Sequence, residues 1–291
     1  MRVSRPVLIL TLLIAFFSLF AAGAGLFWCH DGESFPFTTL RGEEVTIHGT
    51  GLYRWDSVSY AAQAMAQDLA TLVVGLPLLL GALFLYYRRQ LRGTLLLAGT
   101  LGYFLYTYAS YSFLSAFNQL FLLYVALFSL SLFAFILTLM SIKVSDLPGR
   151  FSEKMPRRTI AVFMIVIGTF LILAWLGRIV PSLINGGIPV GLESYTTLVI
   201  QALDLGVIAP VCILGAVLLL KKHPWGYLLA ALMLLKGLTM LIAITAMVLA
   251  MVRAGVEVAA FELVFFPSFM LVNLVLVLRL LTHVVEAEKG A

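Results

Sequence analysis

In this chain of 291 residues, 62% are hydrophobic, only 11% are charged and the mean hydropathy is +1.06, which excludes a soluble globular protein. The net charge of +5 does not mark a nucleic-acid binder, because the basic residues sit in short loops between apolar runs and form no stripe interleaved with aromatics. Cys29 ends the first apolar run and Cys212 lies well inside the sixth, a depth difference too large for a disulfide, and no CxxC spacing occurs.

Residues 6–28 form the first apolar run, behind Arg2 and Arg5. Ala21–Gly25 offers small residues for signal-peptide cleavage, but the run continues through Leu26, Phe27 and Trp28, so a retained span is expected. The polar segment 29–65 follows. Val45–Gly49 alternates like a short strand, and Asp56 or Ser57 is placed to cap a helix starting near Val58. Ser59, Gln63 and Gln67 recur every four residues and make a polar stripe, with Asp68 beside it. That helix should run unbroken into the second span, ending at Tyr87.

Further spans are expected over about 93–113, 120–141, 159–180 (stopping at Pro181), 193–220, 226–252 and 258–280. With the N-terminus in the cytoplasm, fourteen of the nineteen Lys and Arg residues fall in cytoplasmic segments or at their helix ends, Arg2 and Lys289 among them. Only Arg41, Arg54, Arg178 and Arg253 fall outside. The positive-inside rule therefore gives eight spans in a cell-membrane protein, both termini cytoplasmic and segment 29–65 external.

Two stretches look alike. Gly75–Leu83 with Pro77 precedes Arg88, Arg89 and Gly93, as Ile208–Ala216 with Pro210 precedes Lys221, Lys222 and Gly226, at one offset of 133 residues. The expectation is an all-α helix bundle forming one membrane domain, 1–291. Within it a candidate tandem parallel repeat relates two four-helix halves, 1–142 and 157–285. Lys236 then matches Tyr103, and Asp204 falls at Thr71.

Asp204 and Lys236 are the charges inside apolar runs, each expected roughly 15 Å from the nearer helix end at ~1.5 Å per residue. An intramembrane charge costs roughly 2.5–3.5 kcal/mol, so a mutual pair between antiparallel neighbours is the simplest expectation. That pair serves as either a substrate or proton site or a lock between helices. Tyr103, Tyr106, Thr107, Ser110 and Tyr111 share a face that either lines a cavity or bonds to neighbouring helices. Asn273 lies mid-span in the eighth helix. The candidate ligand or ion pathway is thus Asp204, Lys236, Tyr103, Tyr106, Asn273, Asp68 and Gln67.

No histidine lies mid-membrane to ligate a haem, and His30 and His48 lack HxxxH or HExxH spacing, so no metal or cofactor is expected. No nucleophile motif or phosphate loop occurs. Two functions remain. One is a small-molecule permease or ligand-binding membrane protein with a midplane site. The other is a membrane-embedded enzyme or assembly factor acting at the outer face on a lipid or membrane-protein partner.

Overall fold

The computed structural model describes residues 3–286, so Arg2 and Lys289 of the charge count lie outside the described residues. The chain is a helix bundle with one small hairpin at one end. In order come α1 (Arg5–Phe27), β1 (Phe35–Thr38), β2 (Glu44–Ile47), α2 (Val58–Ala70), α3 (Leu76–Tyr87), α4 (Leu91–Phe113) and α5 (Phe121–Met140). A 3₁₀ turn (Val144–Arg150) leads to α6 (Arg157–Asn185), α7 (Val199–Leu203), α8 (Ala209–Leu220), α9 (Pro224–Arg253) and α10 (Ala260–Thr282). The antiparallel hairpin pairs Phe35 with Ile47 and Thr38 with Glu44, so the expected strand begins one residue earlier than the alternation suggests.

Among the described residues, seven helices are long and apolar enough to cross a membrane: α1, α2–α3 as one piece, α5, α6, α7–α8 as one piece, α9 and α10. The 23-residue α4 has the length but is not among them, because four tyrosines and three threonines dilute its apolar character. It is instead an enclosed helix, packed on α3, α5 and α9. Helix α9 is the second hub and touches α2, α4, α8 and α10. The α4–α9 contact therefore joins one apolar cluster built mainly on α1–α5 to another built mainly on α6–α10.

Ser57 caps α2 as expected, its hydroxyl accepting from the Tyr60 amide at 3.0 Å. The helix then passes through a π turn, Thr71–Gly75, into α3 with Pro77 in its first turn. Helices α7 and α8 repeat this: a π turn, Asp204–Ile208, precedes α8 and Pro210. In both, an amide bonds five residues back, Leu76 to Thr71 and Ala209 to Asp204. Proline lacks an amide hydrogen and crowds the carbonyl four residues back, and one extra residue in the turn relieves both problems.

The turns that follow match as well. Arg89 and Lys222 adopt φ of 62° and 55°, and Gln90 and His223 donate to the carbonyls of Leu85 and Leu218 at 3.1 and 2.9 Å. Gly93 and Gly226 then pack so closely on the preceding helix that a Cβ would meet the Leu85 or Leu218 carbonyl carbon at 2.4 Å.

Two expected boundaries move. Helix α6 continues through Pro181 to Asn185 and ends at Gly186 in the left-handed region (φ 69°), because Pro181 falls in its last turns, where a lost hydrogen bond costs least. The sixth span starts at Val199 rather than 193, since Glu193 takes a left-handed φ of 51° and the chain before Val199 is non-helical.

Candidate functional site

Measured from the turn that joins α8 to α9, Asp204 lies about 24 Å along its span and Lys236 about 18 Å along α9, at ~1.5 Å per residue, a stagger of about 6 Å. Asp204 and Lys236 do not approach to ion-pair distance, although their opposite charges attract through space, so the expected mutual pair is corrected to an indirect one. Tyr106 of α4 fills the gap. Its hydroxyl donates to Asp204 Oδ1 at 2.8 Å, and its ring face lies 3.9 Å from Lys236 Nζ. Trp175 of α6 donates its indole N–H to the other oxygen, Oδ2, at 2.9 Å.

Four helices thus converge here. Each Asp204 oxygen has a neutral donor, and the carboxylate is only 7% exposed. Lys236 is 8% exposed, yet it faces an aromatic ring rather than an oxygen acceptor. Both carboxylate oxygens have donors, whereas the ammonium is met by a ring face.

The other residues singled out from sequence fall into separate groups. Gln67 donates to Tyr103 (2.7 Å) and Thr107 (3.0 Å), and Tyr103 also bonds Thr71 at 2.9 Å. The Gln67 side-chain oxygen is buried without a partner. Asp68 accepts from Tyr53 at 2.5 Å and from Tyr111 at 3.1 Å, and Gly25 of α1 packs directly against it. Asn273 donates to the Leu234 carbonyl of α9 at 3.2 Å, on the neighbouring turn from Lys236 but not to it. It therefore joins α10 to α9.

A third polar cluster sits at the hairpin end, outside the long helices. Asp56 Oδ1 accepts from the Ala116 amide (2.8 Å) and the Tyr195 hydroxyl (2.9 Å). One carboxylate thereby ties together segment 48–57, the α4–α5 turn and the α6–α7 loop. Its second oxygen is buried and unpartnered. Burial raises its pKa to about 7 against the pull of those two donors, with Glu193 adding to the rise. Glu193 accepts from the capping Ser57 hydroxyl and is itself raised by burial. Arg41 reaches the Tyr195 and Thr196 carbonyls at 3.5 and 3.3 Å, so the hairpin clasps the same loop.

Trp175, Tyr53, Glu193 and Tyr195 were not singled out from the sequence. Trp175 carried a readable signal: it stands in an apolar run away from the interfacial positions tryptophan prefers, so its N–H needs an internal acceptor. Among the described residues no group of three or more His, Cys, Asp or Glu side chains is placed to hold a metal. No protein-family model, curated protein or solved structure matches the chain.

Proposed function

We propose that this is an eight-span cell-membrane protein that binds a small molecule at the Asp204–Tyr106–Lys236 site and carries it through the bilayer. Counting α4 as the eighth span keeps both termini on one side, and the distribution of Lys and Arg makes that side cytoplasmic. The observation that carries the reading is Lys236: a buried amine, deep in a span, whose donors face no oxygen. A helix-packing lock would spend those donors on a neighbour, whereas a binding site leaves them for a ligand.

The matched π turns, left-handed turns and close glycines support two parallel four-helix halves, with α4 and α9 as equivalent central helices. A site between such halves lies where alternating access requires it. The outer cluster around Asp56 is read as a clasp, because its described hydrogen bonds join loops to one another. The alternative of an enzyme at that face is disfavoured because the hydroxyls beside Asp56 and Glu193, those of Tyr195 and Ser57, are engaged in these structural bonds and the helix cap.

The test is reconstitution. Proteoliposomes of the wild type and of Lys236→Met are exposed to a mixed small-molecule extract, and retained compounds are identified by mass spectrometry. The wild type should retain at least one compound that the variant does not. Identical sets would contradict the reading.

A further inference from the structure

Access to Lys236 comes from the side. Helix α4 is buried almost throughout 97–111, and its partly open positions there are Gly102, Leu105 and Tyr106. Spaced three and four residues apart, they form one face. Lys236 crosses Gly102 with its stem carbons 3.7–3.8 Å from where a Cβ would stand, and Phe135 of α5 borders the same glycine. Opposite, the α7 segment buries nothing before Asp204, and Gly206 and Val207 of the π turn are exposed. In the first half the corresponding helix, α2, packs along α9, whereas α7 barely meets α4. The strip on α4 is therefore the least covered side of this helix.

From this we infer that the site takes an anionic amphiphile, with its acidic head on Lys236 and its apolar tail along the strip at Gly102 and Leu105. This rests on the reading that the site binds a ligand, and it adds the ligand's class and route. The charge sign follows from the hydrogen-bond inventory: both Asp204 oxygens already accept from Tyr106 and Trp175, so the unmet demand is for an acceptor. The tail follows from the strip itself: beside Tyr106 its positions are Gly102 and Leu105, both apolar, although the facing α7 also carries Gln201. An acidic head leaving the interface loses less hydration if an ammonium on an aromatic face receives it.

The probes are oleate, oleyl alcohol and acetate, added to the purified protein in neutral detergent while its thermal midpoint is followed. Oleate should raise the midpoint of the wild type saturably by several degrees and leave Lys236→Met unmoved. Oleyl alcohol and acetate at the same concentration should do neither. Equal stabilisation of both proteins by oleate would overturn the proposal. Acetate matching oleate would overturn it too, by showing that the tail contributes nothing. A second readout leaves Lys236 intact: 5-doxyl-stearate should quench Trp175, measured as the difference between wild type and Trp175→Phe, and oleate should compete that quenching away. Absence of Trp175-specific quenching counts against the proposal. If these arms fail while Lys236-dependent retention from the mixed extract persists, the ligand class is wrong and the binding site stands.

Discussion

Thr71 and Tyr103 hydrogen-bond at 2.9 Å, and the residues 133 positions further on are Asp204 and Lys236. Thr71 and Asp204 lie in the two π turns, and Tyr103 and Lys236 in the central helices α4 and α9. In the first half the tyrosine is long enough to close the gap, and two neutral hydroxyls satisfy each other. In the second half the same two positions carry opposite charges, and Tyr106 from α4 stands between them. One geometry thus yields a closed polar contact in one half and an open one in the other.

The two close glycines give a test of that equivalence. Gly93→Ala and Gly226→Ala each drive a Cβ to 2.4 Å from a backbone carbon, so neither neighbour can yield by rotating a side chain. Each should cost about 1–3 kcal/mol in equilibrium unfolding, and the two costs should be similar. A neutral result at either position would separate the two turns.

Gly25→Ala should also destabilise, because its Cβ would stand 1.8 Å from Asp68 Oδ2. Either α1 moves off α2 or Asp68 loses its bond from Tyr53, at a cost of about 1–3 kcal/mol. Gly23→Ala, with nothing within 4 Å, is the control and should unfold at the wild-type temperature or slightly above.

Asp56 predicts a pH dependence. Its carboxyl is raised from 3.8 to about 7, so between those values the folded protein binds more protons than the unfolded chain. Stability should therefore fall as pH rises from about 4 to about 7, on the order of 1 kcal/mol per unit, and level off above. Glu193, raised in the same direction from its ordinary value, adds to the slope with the same sign. Asp56→Asn keeps the acceptor for Ala116 and Tyr195 and removes the charge, so its profile should be flatter. An equally steep profile in that variant would assign the slope to other groups.

Orientation is checked by labelling intact cells with an impermeant maleimide. In a Cys29→Ser background, which removes the exposed native thiol, a cysteine replacing Glu44 in the hairpin should react, and one replacing Glu153 at the opposite end should be protected. The reverse pattern would invert the molecule and put the Asp56 clasp in the cytoplasm.

Much of the fold was legible in the sequence because membrane helices announce themselves by length and composition. Ser57 as a cap and the continuous α2–α3 helix followed from local chemistry, and Pro77 and Pro210 marked the disturbed turns. A sixth span read from 193 has its start misplaced, because Ser194, Tyr195, Thr196 and Thr197 after Glu193 lie in the loop before Val199 and not in the helix. The role of Tyr106 was hidden. It was one of several tyrosines on a shared face, and only the relative rotation of α4 and α9 decides that Tyr106 meets Lys236 while Tyr103 meets Thr71. The Asp56 clasp joins residues 60 and 139 positions apart, a convergence of loops that no local pattern encodes.

The most direct measurement is the stability of the ligand-free Lys236→Met variant beside its ligand retention. If Lys236 is a binding group held without an acceptor, replacing it with methionine removes a buried, unsatisfied charge. The variant should then unfold at the wild-type temperature or higher and retain no ligand. If Asp204 and Lys236 instead lock the helices, Lys236→Met should lose several kcal/mol, and Asp204→Asn/Lys236→Met should recover it with retention intact. That second outcome would contradict the account.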